Sequence, residues 1–203
     1  MGIRTRIKEK IFAGFVSVIE KDLYKSFEVI SHLTLKERYK LFKLAKDKQV
    51  ILEIGSYIGA SACCFGAALS NDREGKIVCV DTWKNDAMTE GGRETWEEFL
   101  SNTNEYKKVI FPVRGFSTKV IEQVRKIIVQ ADLLFIDGDH SYEGVKADWE
   151  FYKVFLDSGS IVIFHDYGWA EGVQRVVDED VKPMVSSYSQ LPNMWWGTLS
   201  RKP

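Results

Sequence analysis

The sequence predicts an α/β protein: a largely parallel sheet, covered by helices on both faces, that closes with antiparallel pairing. Three observations carry this. Five short apolar runs, residues 50–54, 76–80, 109–113, 133–136 and 160–164, alternate with segments of helical character. Strands that apolar belong to a sheet buried on both sides. The tail then breaks the pattern, with two strand-like runs, 181–187 and 195–200, joined hairpin-fashion through Gln190-Leu191-Pro192-Asn193.

The elements follow in chain order. Ile3, Ile7, Ile11, Phe15, Val18 and Leu23 recur at helical spacing and predict an amphipathic first helix. Arg4, Arg6, Lys8 and Lys10 ahead of an apolar run imitate a signal peptide. Glu20, Lys21 and Asp22 follow at once, and no small-residue cleavage site appears. The run is too short to span a bilayer; a membrane-surface or dimer-contact role fits its basic, apolar character. Thr34 and Glu37 form a capping box that starts a second helix, ending near Lys46. His32, just before it, reads as a surface or packing histidine. Residues 60–70, 94–102, 117–130, 142–156 and 172–179 read as the remaining helices. Residues 84–95, with Asp86, Met88, Gly91, Gly92 and Arg93, have the polarity of a mobile loop that overhangs the sheet, and are expected to act as a lid. Trp195 and Trp196 read as core or dimer contact.

Composition narrows the function. Hydrophobic residues make up 45% and aromatics 13%, values of a folded globular chain. With 28 basic against 29 acidic residues, no basic excess marks a nucleic-acid surface. Cys63, Cys64 and Cys79 are an odd set without metal-type spacing, which points to a reducing, cytoplasmic setting.

In parallel sheets of this kind ligands bind beyond the carboxyl ends of the strands, where strand order reverses. The first strand ends in Glu53-Ile54-Gly55-Ser56-Tyr57-Ile58-Gly59. Gly55 and Gly59 permit a tight turn and close backbone approach. Glu53 would repel a pyrophosphate and suits a ligand bearing positive charge. Asp81 ends the second strand about 20 residues beyond Gly59, the place for an acid that grips ribose hydroxyls. Two later strands end in Asp137-Gly138-Asp139-His140 and His165-Asp166-Tyr167. Both bring carboxylate and imidazole to the same edge.

These ordered motifs resemble those of class I S-adenosylmethionine-dependent methyltransferases. The match is to the small-molecule group with an Asp-Gly-Asp-His signature, similar to macrocin-type sugar O-methyltransferases. The resemblance covers residues 30–180. It implies a doubly wound, Rossmann-like sheet of seven strands with the last antiparallel, a helical extension at 1–47 and a methyltransferase domain at 48–203. It implies S-adenosylmethionine held by Glu53, Gly55, Ser56, Tyr57 and Gly59 at its methionine end, with Asp137 beside that end. Asp81 would hold the ribose, while Trp83 and Ser117 would lie against the adenine.

The expected reaction is methyl transfer to a hydroxyl of a small acceptor, a sugar or natural product. A hydroxyl nucleophile must lose its proton, and Asp139, His140 and His165 are the candidate bases. Asp137 and Asp166 are the candidate ligands of a divalent cation such as Mg²⁺. The later pair in macrocin-type enzymes is usually Asp-Asp, so His165 is a departure. Two other readings stand beside this one: an NAD(P)-dependent oxidoreductase, and a non-catalytic cofactor-binding relative. Tyr142-Glu143-Gly144-Val145-Lys146 matches the short-chain dehydrogenase pair, but Glu53 and the lack of a third glycine oppose it. A homo-oligomer is compatible with the sequence.

Overall fold

The computed structural model describes residues 14, 16, 20–70, 74–84 and 92–203. Five strands run parallel: β1 (Val50–Ile54), β2 (Lys76–Asp81), β3 (Ile110–Arg114), β4 (Leu133–Ile136) and β5 (Ile161–His165). Two more, β6 (Val185–Leu191) and β7 (Met194–Leu199), complete the sheet, with β7 antiparallel to both β5 and β6. The order is β3-β2-β1-β4-β5-β7-β6. This is the seven-stranded doubly wound sheet that the sequence predicts, and strand order reverses between β1 and β4. The helices are α1 (Tyr24–Glu28), α2 (Leu35–Ala45), α3 (Ala60–Leu69), α4 (Trp96–Thr103), α5 (Ser117–Ile127), α6 (Tyr142–Tyr152) and α7 (Glu171–Val176).

Strand side chains alternate between faces. Ile51, Ile77, Cys79, Leu133, Phe135 and Ile163 pack with α2, α3 and α4. Leu52, Ile54, Val78, Leu134, Val162 and Phe164 pack with α5, α6 and α7. The same parity decides where the polar strand ends point. Glu53 follows Ile51, Asp137 follows Phe135, and His165 follows Ile163, so all three belong to the α2–α3 face.

That face receives α2 in a fixed position. Thr34 caps it, accepting from the Glu37 amide, while Glu37 Oε2 accepts from the Thr34 amide at 2.7 Å. Arg38, almost wholly buried, donates to the carbonyls of Ser26, Val29 and Leu33. One guanidinium thereby fixes the loop before α2 and holds Ser31, His32 and Leu33 above the sheet.

Two expectations are corrected. The run 181–187 is not all strand: the chain stays helical through a wide turn (Val177–Val181) and a short turn (Lys182–Met184), and pairing starts at Val185. Val181 is fully buried against α7's side of the core, and Pro183 has no N–H for a ladder. The helix expected at 172–179 correspondingly runs longer. Of the first amphipathic helix, Ile3, Ile7, Ile11, Phe15 and Val18 lie outside the described residues. Cys63, Cys64 and Cys79 are unbridged and buried. Among the described residues, no helix is long and apolar enough to cross a membrane.

Candidate active site

A cavity of about 560 Å³ opens at the carboxyl ends of β1, β2, β4 and β5. That volume suits a cofactor-sized ligand. Its floor is the glycine loop. Gly55 has φ 85°, and a side chain there would put Cβ 2.1 Å from the Asp137 carbonyl oxygen. The turns after β1 and β4 therefore touch, and only glycine permits it.

Asp81 ties that loop to β2. Its Oδ2 accepts from the amides of Ser56 and Tyr57, both at 2.8 Å, and its Oδ1 accepts from the Trp83 amide at 2.6 Å. Tyr57 sits at φ 47°, an uncommon backbone state for a bulky residue. Glu53 lies beneath the loop, fully buried, and does not line the cavity. Its Oε2 accepts from Ser56 Oγ at 2.6 Å, while Oε1 has no hydrogen-bond partner among the described residues. Burial pushes this carboxyl up to about 7, against the opposing pull of hydrogen bonds from Ser56, Ser61 and Cys79.

A folded-state value above the unfolded one makes Glu53 cost stability as pH rises through about 7. Below the ordinary carboxylate range it costs nothing. Glu53→Gln is therefore expected to melt close to wild type at pH 5. At pH 8 the ligand-free variant should be the more stable, by on the order of 2–3 kcal/mol. A melting difference that stays constant between these pH values would contradict the assignment.

The far side of the cavity is built by α5 and α6. Ser117 opens α5 and lines the cavity, preceded by Phe116, which is largely exposed. Asp148 reaches in from α6 and is buried; burial pushes its carboxyl up to about 6, a Ser117 hydrogen bond pulls it down, and the charge of Asp139 pushes it up again. The sequence reading missed Asp148. A signal was present: Val145, Asp148, Trp149 and Tyr152 form the buried stripe of α6, and only one of them is charged.

At the near end, carboxylates and imidazoles converge as strand parity dictates. His165 is buried and its Nδ1 lies 3.0 Å from Asp137 Oδ1 and 3.3 Å from Asp166 Oδ2. Its Nε2 lies 3.8 Å from Glu37 Oε2. Burial alone would lower its pKa, but Asp137, Asp166 and Glu37 together raise it to about 12. This crowding of carboxylates favours the protonated imidazole, a poor proton acceptor. Asp166 sits at φ 58° and gathers four donors. Oδ2 bonds His140 Nε2 at 2.8 Å as well as His165, and Oδ1 accepts from Trp169 Nε1 and Asn193 Nδ2, both at 2.8 Å. Although burial opposes ionisation, the bonds from His140 and His165 hold this carboxyl far below its usual range. His140, with its side chain 24% exposed, lines the cavity. Its pKa is raised, chiefly by the hydrogen bond to Asp166.

Other expected site residues have different surroundings. Trp83, at φ 53°, is fully buried against Trp96 and Phe99, each ring centroid 4.7 Å away, and is not among the residues that line the cavity. Gly59 caps α3 and packs against Thr103 and Phe99 rather than the cavity. Asp139 lines the cavity, but its Oδ1 accepts from the Ser141 amide and braces the start of α6. Tyr142 and Lys146 point to Glu179 and Asp180, away from the cavity. His32, read as a surface or packing histidine, lines the cavity beside Ser31 and Leu33. Of the expected lid, residues 85–91 lie outside the described residues. Its ends are clasped, Arg93 and Thr95 donating to the carbonyls of Lys84 and Trp83. Trp195 is core; Trp196 is half-buried beneath the Lys40 ammonium.

Asp137, His140 and Asp166 each offer one ligand atom, all within 4.8 Å of one another. Two carboxylates and an imidazole are a donor set that suits a divalent cation. His140 was not among the expected ligands.

A family model described as a methyltransferase domain matches residues 52–167, and the chain belongs to that family. The uncharacterized protein y4gI of Sinorhizobium fredii is 32% identical over 118 residues, which are 57% of this chain and 13% of that protein. A protein of Acanthamoeba polyphaga mimivirus is 25% identical over 147 residues, 67% of this chain and 61% of that one. The chain thus spans only part of both relatives. Among solved structures, TomG, an O-methyltransferase of Streptomyces achromogenes in complex with SAM, superposes with TM-score 0.70 at 14% identity, covering 98% of this chain and 100% of that one. CalS11, a TDP-rhamnose 3'-O-methyltransferase, gives 0.62 at 21% identity, covering 81% and 78%. An O-methyltransferase of Bacillus cereus in complex with SAH gives 0.69 at 15% identity, covering 94% and 97%. These similarities establish the fold.

Proposed function

We propose that the chain transfers the methyl group of S-adenosylmethionine to a hydroxyl of a small acceptor, with His140 as the general base. The observation that carries this is the His140–Asp166 pair at the wall of a cofactor-sized cavity, across from the glycine loop. S-adenosylmethionine, when bound, supplies an electrophilic methyl on a sulfonium. The residues fit it: a glycine cradle that a Cβ would fill, carboxylates lining the cavity, and the orphaned oxygen of Glu53 below. In this reading Asp81 would meet the ribose hydroxyls, Ser117 and Asp148 the adenine, and Asp137 the methionine end; all four line the cavity. Asp166 orients His140 through Nε2 and leaves Nδ1 to take the acceptor proton. Positioning supplies much of the remaining barrier reduction. The extension at 1–47 contributes Glu37 and His32 to the site, and residues 48–203 carry the rest. Buried, unbridged cysteines support a cytoplasmic setting, and the balanced charge gives no support to nucleic acid as a partner.

Calorimetry with S-adenosylhomocysteine and with NAD tests the reading. Binding of NAD without S-adenosylhomocysteine would overturn it in favour of an oxidoreductase. Asp81→Ala should weaken S-adenosylhomocysteine by about 1–3 kcal/mol, the worth of charged hydrogen bonds. Unchanged affinity would remove Asp81 from the ribose.

A second reading rests on the Asp137, His140 and Asp166 triangle. There a divalent cation would take His140 as ligand, and His140 would no longer serve as base. Chelator separates the two: methyl release lost with EDTA and restored by Mg²⁺ supports the cation, whereas indifference to EDTA supports the free imidazole.

A further inference from the structure

We infer that the outer face of α2 is a docking surface for an anionic lipid bilayer, placed beside the mouth of the cavity. Charge along the chain is uneven. Residues 1–49 hold 12 basic and 6 acidic residues, while the rest of the chain holds 16 basic and 23 acidic. Such an asymmetry marks a part of the molecule that meets an anionic surface. In the fold it becomes a stripe. Lys36, Lys40 and Lys43 stand four and then three residues apart on α2, which puts them on one face. Lys36 and Lys43 are exposed, and Lys40 lies over the Trp196 ring with its ammonium 4.9 Å from the centroid. None of the three has an ion pair among the described residues, whereas Lys25 and Lys46 nearby are paired with Glu28 and Glu20. The one acid of α2, Glu37, is buried. The charge of the stripe is therefore uncompensated.

Apolar residues at the same place select lipid over other polyanions. Ile30, in the loop before α2, is 82% exposed, and the headgroup boundary of a bilayer would bury it. Arg38 fixes the loop on either side, donating to the Val29 carbonyl at 2.8 Å and to the Leu33 carbonyl at 3.1 Å. Lysine stems lie along such a boundary while their ammonium groups reach the lipid phosphates. Val16 is buried with Leu41 and Phe42 of α2, and Glu20 pairs with Lys46, so the described chain begins on this side of the fold. The sequence ahead of it sets Arg4, Arg6, Lys8 and Lys10 among Ile3, Ile7 and Ile11, the composition of an interfacial segment. The phosphate backbone of a nucleic acid would use the lysines and arginines but not these isoleucines. Directly after Ile30, Ser31, His32 and Leu33 line the cavity, and His32 is exposed, which places this wall at the mouth. A bilayer held on α2 thus lies next to the opening. The inference does not depend on the methyl-transfer reading.

The test floats the full chain with vesicles of phosphatidylcholine, either alone or mixed with about one-third phosphatidylglycerol. The chain should rise with the anionic vesicles and stay behind with the neutral ones. Raising salt from about 0.1 M to about 1 M should release it, because the reach of charge shrinks from about 10 Å to about 3 Å. Lys36→Gln, Lys40→Gln and Lys43→Gln combined should weaken binding by about 10–100-fold, given the usual attraction per lysine. Lys119→Gln with Lys126→Gln, two exposed lysines of α5 on the other face of the sheet, should cost less than about 3-fold. Ile30→Ser should weaken binding by about 3–10-fold through lost apolar burial. Each variant should melt within a degree or two of wild type, which separates lost binding from lost fold. No binding to the anionic vesicles, equal binding to neutral ones, or a triple-lysine variant that binds like wild type overturns the inference. So does tighter binding to heparin or RNA than to the anionic vesicles, which would make the stripe a nucleic-acid contact. A chain that floats as described yet fails to bind S-adenosylhomocysteine loses the methyl-transfer reading and keeps this one.

Discussion

His140→Ala is expected to slow methyl transfer by about 10²–10⁴-fold, the usual contribution of a positioned general base. The affinity for S-adenosylhomocysteine should hardly change, because the proposal gives the cofactor to other residues: Gly55, Asp81, Ser117 and Asp148. The fall should appear in kcat as well as kcat/KM, since proton removal belongs to the transition state rather than to binding. The pH–rate profile adds a check that a structural role would not satisfy. Asp166 raises the His140 pKa. The base is active only when deprotonated, so the ascending limb should lie above the ordinary imidazole range. Asp166→Asn removes the charge that raises it and should shift the limb down in pH as well as lowering the plateau. A variant His140→Ala within 10-fold of wild type would return the base to Asp139 or favour the divalent-cation reading.

The strand framework was legible because burial on both faces leaves an unmistakable apolar run, and the glycine after β1 because its close approach tolerates no side chain. The tail was legible only in part. Val181 is apolar enough for a strand, and its assignment to a helical turn depends on packing against distant residues. Trp83 illustrates the same limit: its position after β2 suits an adenine contact, but a left-handed backbone sends the indole into the core with Trp96 and Phe99. The ends of β4 and β5 were read as reaching one edge of the sheet, and their pairing brings them together there. What the ends do was not legible. The surroundings of His140 and His165 differ through Glu37, a residue whose local pattern spelled only a helix cap. Its carboxylate serves the Thr34 amide and His165 together. Nothing in the sequence marks a contact between the start of α2 and the end of β5 beyond the alternation that puts His165 on the α2 face. Trp169 and Asp148 went unread for a related reason: each looks like ordinary loop or helix composition until the cavity is assembled around it.

The Glu37–His165 contact also carries the second large effect. His165→Gln should destabilise the protein at pH 7 by about 3–5 kcal/mol, as expected when one member of a buried ionic cluster is removed and its partners stay behind. Three carboxylates, from Glu37, Asp137 and Asp166, surround the His165 ring, which is only 3% exposed. Glutamine fills similar space and supplies one donor, but no charge. For a chain of this size the loss corresponds to a fall in melting temperature of roughly 6–20 °C. The pH dependence follows from the direction of the shift. The histidine is raised in the folded state to about 12, so its stabilising contribution is complete below 6.5 and fades only as pH climbs toward 12. Across the neutral range wild type therefore keeps the contribution and the variant lacks it. In acid the variant should regain ground, because its crowded carboxylates take up protons more readily than their unfolded counterparts. The gap in melting temperature is thus expected to be wide at pH 7–8 and to narrow near pH 5. A variant that melts within a degree or two of wild type at neutral pH would mean the imidazolium does not hold α2 against β5. Activity in the variant should fall with this cluster even though His165 never takes the proton, since Asp166, left beside uncompensated charge, would hold His140 and Trp169 less firmly.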